Sequence, residues 1–252
     1  MKKLKVCWIS AGVSSFVAGW LDRDKIDKFI YIDVADQHPD SLRFIHDCEN
    51  ALGKQIEIIR NESYKDVDSV CRAFRFVNSA HGAKCTEVLK KRVRKEWEEK
   101  HRDYEITYVW GMDYNEKERA DRIIETMTDF EHEFPLIKRI LTKDQAHGIC
   151  SRIGIKRPEM YDLGYSNNNC IGCVKGGAGY WNKIRVDFPE VFEKRAKMER
   201  EIGHSILHDK NGMIFLDELD PSAGRMNKEI MNDCDIFCMI QTNEAWEREA
   251  ET

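Results

Sequence analysis

Four short apolar runs recur along the chain with room for a helix between them, and this alternation restricts the fold more than any other feature. Leu4 to Ile9 (LKVCWI), Lys28 to Val34 (KFIYIDV), Gln55 to Arg60 (QIEIIR) and Glu105 to Met112 (EITYVWGM) read as buried strands. Between the first two, Phe16 to Leu21 begins a helix. Pro39-Asp40 opens another, with Leu42, Ile45 and Leu52 at near-helical spacing up to Gly53. Asp66 to Val77 and Thr86 to Lys100 read as two more helices, separated by a polar loop, Asn78 to Cys85. The pattern predicts an α/β fold: a Rossmann-like parallel sheet with helices on both faces, and ligands outside the carboxyl ends of the strands.

Those strand ends carry the residues that invite function. The first run empties into Ser10-Ala11-Gly12-Val13-Ser14-Ser15, a tight turn before a helix. Such a turn offers unpaired helix N–H groups, hydroxyl donors at Ser10, Ser14 and Ser15, and at Gly12 a close backbone approach, which together suit a phosphate or sulfate. The competing reading is an ordinary strand-to-helix turn capped by Ser14 or Ser15. Asp33, at the end of the second run, opens on the same edge, and Gly111 ends the fourth before the charged stretch Asp113 to Arg122. Thr142 to Arg152 is a further helix, capped by Thr142.

Composition narrows the class. The chain has 252 residues, 42% of them hydrophobic, enough for one good core and a small appended lobe. A net charge of −5 argues against a generally basic nucleic-acid binder, and the run Lys90, Lys91, Arg92, Arg94, Lys95 reads as a solvated helix face. No apolar run reaches the roughly 18 residues of a membrane span, and the N-terminal apolar stretch is too short for a leader. A soluble, cytoplasmic protein is expected. Nine cysteines without a leader point to reduced thiols, metal ligands or redox chemistry.

From Gly154 the texture changes to Arg157-Pro158, Gly164, Ser166-Asn167-Asn168-Asn169, Cys170-Ile171-Gly172-Cys173 and Gly176-Gly177, which predicts irregular backbone. The expected organisation is an α/β domain over 1–153 and a Cys-rich irregular C-terminal lobe over 154–252 packed on it. Phe188 to Ile202 is read as a helix there and Met213 to Leu216 as a short strand. Cys7, Cys48, Cys71 and Cys150 fall inside strand or helix patterns and are read as small buried apolar residues. Cys170 and Cys173 are spaced for a metal or a redox pair. With Cys234 and Cys238 they make a four-thiolate set, for zinc or an iron–sulfur cluster such as 4Fe-4S; the alternative third ligand is Cys85.

The order of the fragments adds a further constraint. ISAGVSS, YIDVADQHPDSLRFI, KCTEVLK, YVWGMDYNEKERADR, FPLIKRILTKDQ and EMYDLGYSNNNCIGC together resemble the phosphoadenosine phosphosulfate reductase family, within the adenine nucleotide alpha hydrolases that carry a pyrophosphate (PP) loop. The resemblance runs from about Lys5 to Cys173. It implies that Ser10, Gly12, Ser14 and Ser15 grip phosphate or sulfate, that Asp33 lies beside the adenosine with Pro39, Asp40 and Ser41 in corresponding places, and that Gly111 and Arg119 complete the nucleotide site. Lys84 and Lys90, flanking Cys85, supply phosphate-binding charge on that reading.

Two departures matter. Ala11 and Ser14 replace a Gly and an Asp of the Ser-Gly-Gly-x-Asp-Ser loop common in ATP-using members, which weakens the case for magnesium. The tail reads Asp233-Cys234-Asp235-Ile236-Phe237-Cys238, where sulfonucleotide reductases carry Glu-Cys-Gly-Ile/Leu-His. Three functions follow. The first is a reductase in which Cys234 as thiolate attacks the sulfur of an adenine sulfonucleotide and a thiol reductant protein releases sulfite. The second is an ATP-dependent sulfur transferase acting on a nucleobase with an iron–sulfur cluster, the one case in which nucleic acid is a partner. The third is a non-catalytic nucleotide-binding protein with a structural metal. A homodimer stays open under each.

Overall fold

The structure, a computed structural model, describes residues 2–79, 82–209 and 212–226. Strands β1 (Lys2–Ile9), β2 (Lys28–Ile32), β3 (Ile56–Ile59), β4 (Tyr104–Val109) and β5 (Glu131–Glu133) form one parallel sheet in the order β3-β2-β1-β4-β5. The longer helices are α1 (Val13–Leu21), α2 (Asp40–Leu52), α3 (Val67–Phe74), α4 (Arg92–Lys100), α5 (Lys117–Thr126), α6 (Lys143–Ile153), α7 (Ala178–Asp187) and α8 (Pro189–Ile202). The α/β class expected from the alternating runs is therefore what the chain adopts. No helix among the described residues is long and apolar enough to cross a membrane.

The chain divides into two compact units, each built from three stretches: Met1–Asp33, Pro39–Ile59 and Lys95–Asn168 in the first, and Val34–His38, Arg60–Arg94 and Asn169–Thr252 in the second. The first unit holds the whole sheet. On one face Cys7 and Ile9 of β1 and Phe29 and Tyr31 of β2 pack with Phe16 and Val17 of α1, Phe44, Ile45 and Cys48 of α2, and Ala146 and Cys150 of α6. The alternate residues face the other way: Trp8 meets Trp97 edge-on at 5.7 Å, and Tyr108 lies 5.0 Å from Phe130. Both faces are covered over β1, β2 and β4, which is why these strands read as nearly continuous apolar runs.

In the second unit Arg195 is fully buried and pairs with Asp36 at 2.5 Å and with Asp68, while its Nε donates to Gly172 O at 3.4 Å. Asp36 also accepts from Val67 N at 2.6 Å, and its carbonyl accepts from Ile171 N at 2.8 Å. One guanidinium thus joins the segment after Asp33, the start of α3 and the turn Cys170–Cys173. A buried pair of this kind satisfies charge by geometry, and removing one partner strands the others.

Several local expectations are corrected. The run Lys90 to Lys95 is a solvated face only in part: Arg92 and Lys95 are exposed, but Lys90 and Arg94 are buried, on the same side as Val93, within a helical stretch whose residues Glu87–Lys91 are π-wound. The loop Asn78 to Cys85 contains a two-rung antiparallel ladder, Asn78–Ser79 with Gly82–Ala83. The charged stretch after Asp113 becomes α5, whose buried positions are Ala120 and Ile123. Ala178–Asp187, within the supposed irregular region, is the regular helix α7. Met213 lies in a short strand, Gly212–Ile214, paired with Leu207–Asp209, but Leu216 begins a 3-10 turn.

Candidate functional site

The strand order fixes where a ligand fits. From β1 the chain goes to β2 and β3 on one side, then crosses to β4 and β5 on the other, so successive connections diverge at the carboxyl ends of β1 and β4. A crevice at such a switch point is where open parallel sheets take ligands. The Ser10–Ser15 turn leaves β1 there, and Gly111 follows β4 there. The two are in contact: a Cβ on Gly111 would lie 2.3 Å from Ser15 Cα and 2.6 Å from Ser15 N, so only glycine lets the strand end meet the first turn of α1.

Within the turn the hydroxyls are not equivalent. Ser15 Oγ accepts from Ser10 N at 3.0 Å and donates to Gly12 O at 2.8 Å, with Ser10 Oγ 3.2 Å away. Its hydroxyl is spent holding the turn closed. Ala11 takes a left-handed conformation, φ 57°, with its methyl fully buried. A non-glycine residue in this region is strained by about 1–2 kcal/mol. Gly12 is the N-cap of α1 and supplies no side-chain cap. The first helical bond is Phe16 N to Gly12 O at 3.2 Å, so the N–H groups of Val13, Ser14 and Ser15 precede it without an intrahelical acceptor. Neither Ser14 nor Ser15 caps this helix.

Asn168 secures the turn from the far end of the unit. It is 5% exposed, and its Nδ2 donates to Ala11 O at 2.8 Å and to Ser41 Oγ at 3.0 Å, while its Oδ1 has no hydrogen-bond partner among the described residues. Asn167 beside it accepts from Lys143 Nζ. Asn168 thus ties the turn after β1 to the first turn of α2 within the unit. Its only sequence signal was an unusual density of Asn, which shows a special backbone but not its partner.

The remaining predicted site residues fall as follows. Asp33 is half-buried at the end of β2, with its N–H donating to Ile59 O at 2.8 Å. Asp40 is committed to Arg43 through two bonds of 2.8 and 2.7 Å and accepts from Glu159 N at 2.9 Å, so it clamps the loop. Arg119 pairs with Glu116 at 2.7 Å within its own helix turn. Lys84 belongs to the second unit, paired with Glu87 at 2.6 Å and 4.7 Å over the ring of Phe74.

The described cysteines are all free and buried. Burial pushes the thiol of Cys7 up to about 12 and that of Cys150 to about 11, and raises Cys48 and Cys71 further, so these four are inert packing groups as expected. Cys71 and Cys85 both belong to the second unit. Cys170 and Cys173 sit in a turn clipped by Tyr180, whose hydroxyl accepts from Cys173 N at 2.9 Å and donates to Cys170 O at 3.2 Å. Among the described residues no three His, Cys, Asp or Glu side chains are gathered as metal ligands, so these residues alone do not fit a zinc ion or a cluster. Cys234 and Cys238 lie outside the described residues.

No protein-family model matches the sequence, and no curated protein matches it. Among solved structures the chain is similar to phosphoadenylyl-sulfate (PAPS) reductase from Candida auris in its phosphate complex, with 12% identity and a TM-score of 0.47, over 66% of this chain and 80% of that one; the likeness is one of fold.

Proposed function

We propose that the first unit binds an adenine sulfonucleotide with its terminal oxyanion on the turn Ser10–Ser15, and that the chain is a sulfonucleotide reductase. The observation that carries the reading is the uncapped N-terminus of α1 at the switch point between β1 and β4, which offers N–H groups and the positive end of a helix dipole to an anion. The ordered motifs, which resemble the reductase family, supply the choice of adenine and of sulfur. Ser14 in place of an acid leaves the turn without a carboxylate for magnesium, which favours a sulfonucleotide over ATP.

In this reading the Cys234 thiolate attacks the sulfate sulfur, a cysteine S-sulfonate forms, and adenosine 3′,5′-bisphosphate departs. One thiolate of a protein dithiol then attacks the Cys234 sulfur and sulfite leaves, giving a mixed disulfide; the second thiol of the reductant resolves it, freeing Cys234 and leaving the disulfide on the reductant. The test is sulfite release from phosphoadenosine phosphosulfate with a thioredoxin-like donor. The wild type is expected to turn over, and Cys234→Ser to lose sulfite release while keeping nucleotide binding. Turnover retained in Cys234→Ser, or binding of ATP alone, overturns the reductase assignment, the latter in favour of nucleotide-dependent sulfur transfer.

A further inference from the structure

Within the second unit, α8 ends in a short fixed corner that carries two imidazoles. Gly203 closes the helix in a left-handed conformation, φ 72°, and the N–H groups of Gly203 and His204 both donate to Glu199 O, at 2.9 and 3.2 Å. Beyond them Ser205 Oγ donates to Leu207 O at 2.7 Å. The buried Glu199 carboxylate accepts from Ile206 N and, at 2.7 Å, from Leu216 N, so α8 fastens the chain on both sides of the paired strands Leu207–Asp209 and Gly212–Ile214. His204 and His208 stand on this frame, at positions that the backbone bonds hold.

His204 is oriented as well as placed. Its ring meets that of Phe76, centroids 4.9 Å apart, and its Nδ1 lies 3.0 Å from Ser205 O. A carbonyl only accepts, so in the neutral ring Nδ1 carries the proton and Nε2 keeps its lone pair, the arrangement in which a histidine binds metal. The His208 ring lies 5.7 Å from that of His204. With metal–nitrogen bonds of about 2.0 Å, two imidazoles on one ion have centroids about 5 to 6.5 Å apart between tetrahedral and linear geometry, and the observed spacing falls inside that span.

Met213 brings a third donor. It is the cross-strand partner of His208, so the two side chains share a face, with Cβ atoms about 4.5–5.5 Å apart. Leu207 is buried and His208 exposed, which turns that face to solvent, and Met213 is 52% exposed. A thioether kept in water gains nothing from packing. Beside two imidazoles it is a soft ligand of the kind that selects monovalent copper, whereas zinc takes thiolate, imidazole and carboxylate.

We propose that His204, His208 and Met213 form a binding site for Cu(I), independent of the reading of Ser10–Ser15. The two rings supply nitrogen, His204 through Nε2, and Met213 supplies sulfur. Binding is ligand exchange: the ion keeps its oxidation state and trades the ligands it arrives with for these three.

The probe is Cu(I), added anaerobically as its acetonitrile complex to the full chain carrying Cys234→Ser and Cys238→Ser. These changes remove two competing thiols; the other seven cysteines are buried. The Met213 methyl resonance and the ring resonances of His204 and His208 are expected to shift together and to saturate at about one equivalent, while Zn(II) leaves the Met213 methyl in place. Competition against bicinchoninate reads the affinity. Met213→Leu is expected to weaken Cu(I) about tenfold or more and to leave Zn(II) unchanged, and His208→Gln to weaken Cu(I) about a hundredfold. Both positions are exposed, and thermal melting shows each variant folded. Cu(I) that moves only other resonances overturns the site. So does a Met213→Leu variant that binds Cu(I) as tightly as its parent, or a Met213 methyl that follows Zn(II) as it follows Cu(I).

Discussion

Replacing Gly12 by Asp separates ligand binding from folding at the centre of the site. Gly12 has φ −98° and ψ 150°, extended backbone that any residue adopts. The nearest atoms to a new Cβ are the hydroxyl tips of Ser10 and Tyr161, at 3.3 and 3.4 Å, which can swing aside. An aspartate at an N-cap accepts from the N–H groups of Ser14 or Ser15, and it also reduces the freedom of the unfolded chain. Together these are worth about 1 kcal/mol of added stability, or a Tm higher by about 2–4 °C. The same carboxylate occupies the donors that the proposed oxyanion would use and places a negative charge about 4 Å from it. At an effective dielectric constant of about 20 that repulsion is about 4 kcal/mol, and with screening by salt the expected loss of affinity is about a hundredfold or more. Calorimetric titration with phosphoadenosine phosphosulfate and thermal melting on one preparation read both quantities. Affinity unchanged in the variant means that the oxyanion does not sit on α1. A Tm that falls together with affinity means that Gly12 serves the backbone rather than the space above it.

Two further expectations concern packing and protons. Gly111→Ala drives a methyl into the Ser15 backbone and is expected to destabilise by about 1–3 kcal/mol and to weaken nucleotide binding, whereas Gly148→Ala, with nothing within 4 Å inside α6, is expected to stabilise by about 0.5–1 kcal/mol; equal urea midpoints for the two variants would contradict the close contact at Gly111. Glu199 is fully buried, and burial raises its carboxyl to about 7 against the pull of the Leu216 and Ile206 N–H groups. A folded-state value above the ordinary 4.5 means that its contribution is intact below about pH 4.5 and is lost as the pH rises through about 7. The urea midpoint is therefore expected to fall between about pH 5 and pH 8 in the wild type and to stay level in Glu199→Gln; parallel slopes would remove Glu199 as the cause.

Strands buried on both faces announce themselves, and β1, β2 and β4 were legible because each is an almost unbroken apolar run; β3, an edge strand with Glu57 and Ile58 exposed, was legible because three of its four residues are isoleucine. The strand β5, with the sequence Glu131-His132-Glu133, was not, since it is short and its side chains are polar. Helix α5 was hidden because two buried residues suffice for it. The burial of Lys90 and Arg94 reverses what their charge suggests, because local sequence does not record which face of a helix the rest of the unit covers. At the site, the turn and its glycine were visible in the first fifteen residues. Its fastenings were not: Asn168 meets Ala11 across 157 positions, and Tyr161 reaches Gly12 from a turn of helix that has no motif of its own.

The Arg195 cluster has a consequence for how the polypeptide is made. Asp36 waits 159 positions for its guanidinium, and Asp68 waits 127. At about 5–20 residues per second, translation leaves Asp36 without that counter-ion for about 8–32 s. During that interval neither carboxylate can enter an interior without a severe penalty, so the second unit stays open until α8 has emerged. Contacts this distant also make for slow closure once all the parts are present. A nascent chain stopped before Arg195 should remain sensitive to protease throughout Arg60–Arg94, however complete its sheet strands are.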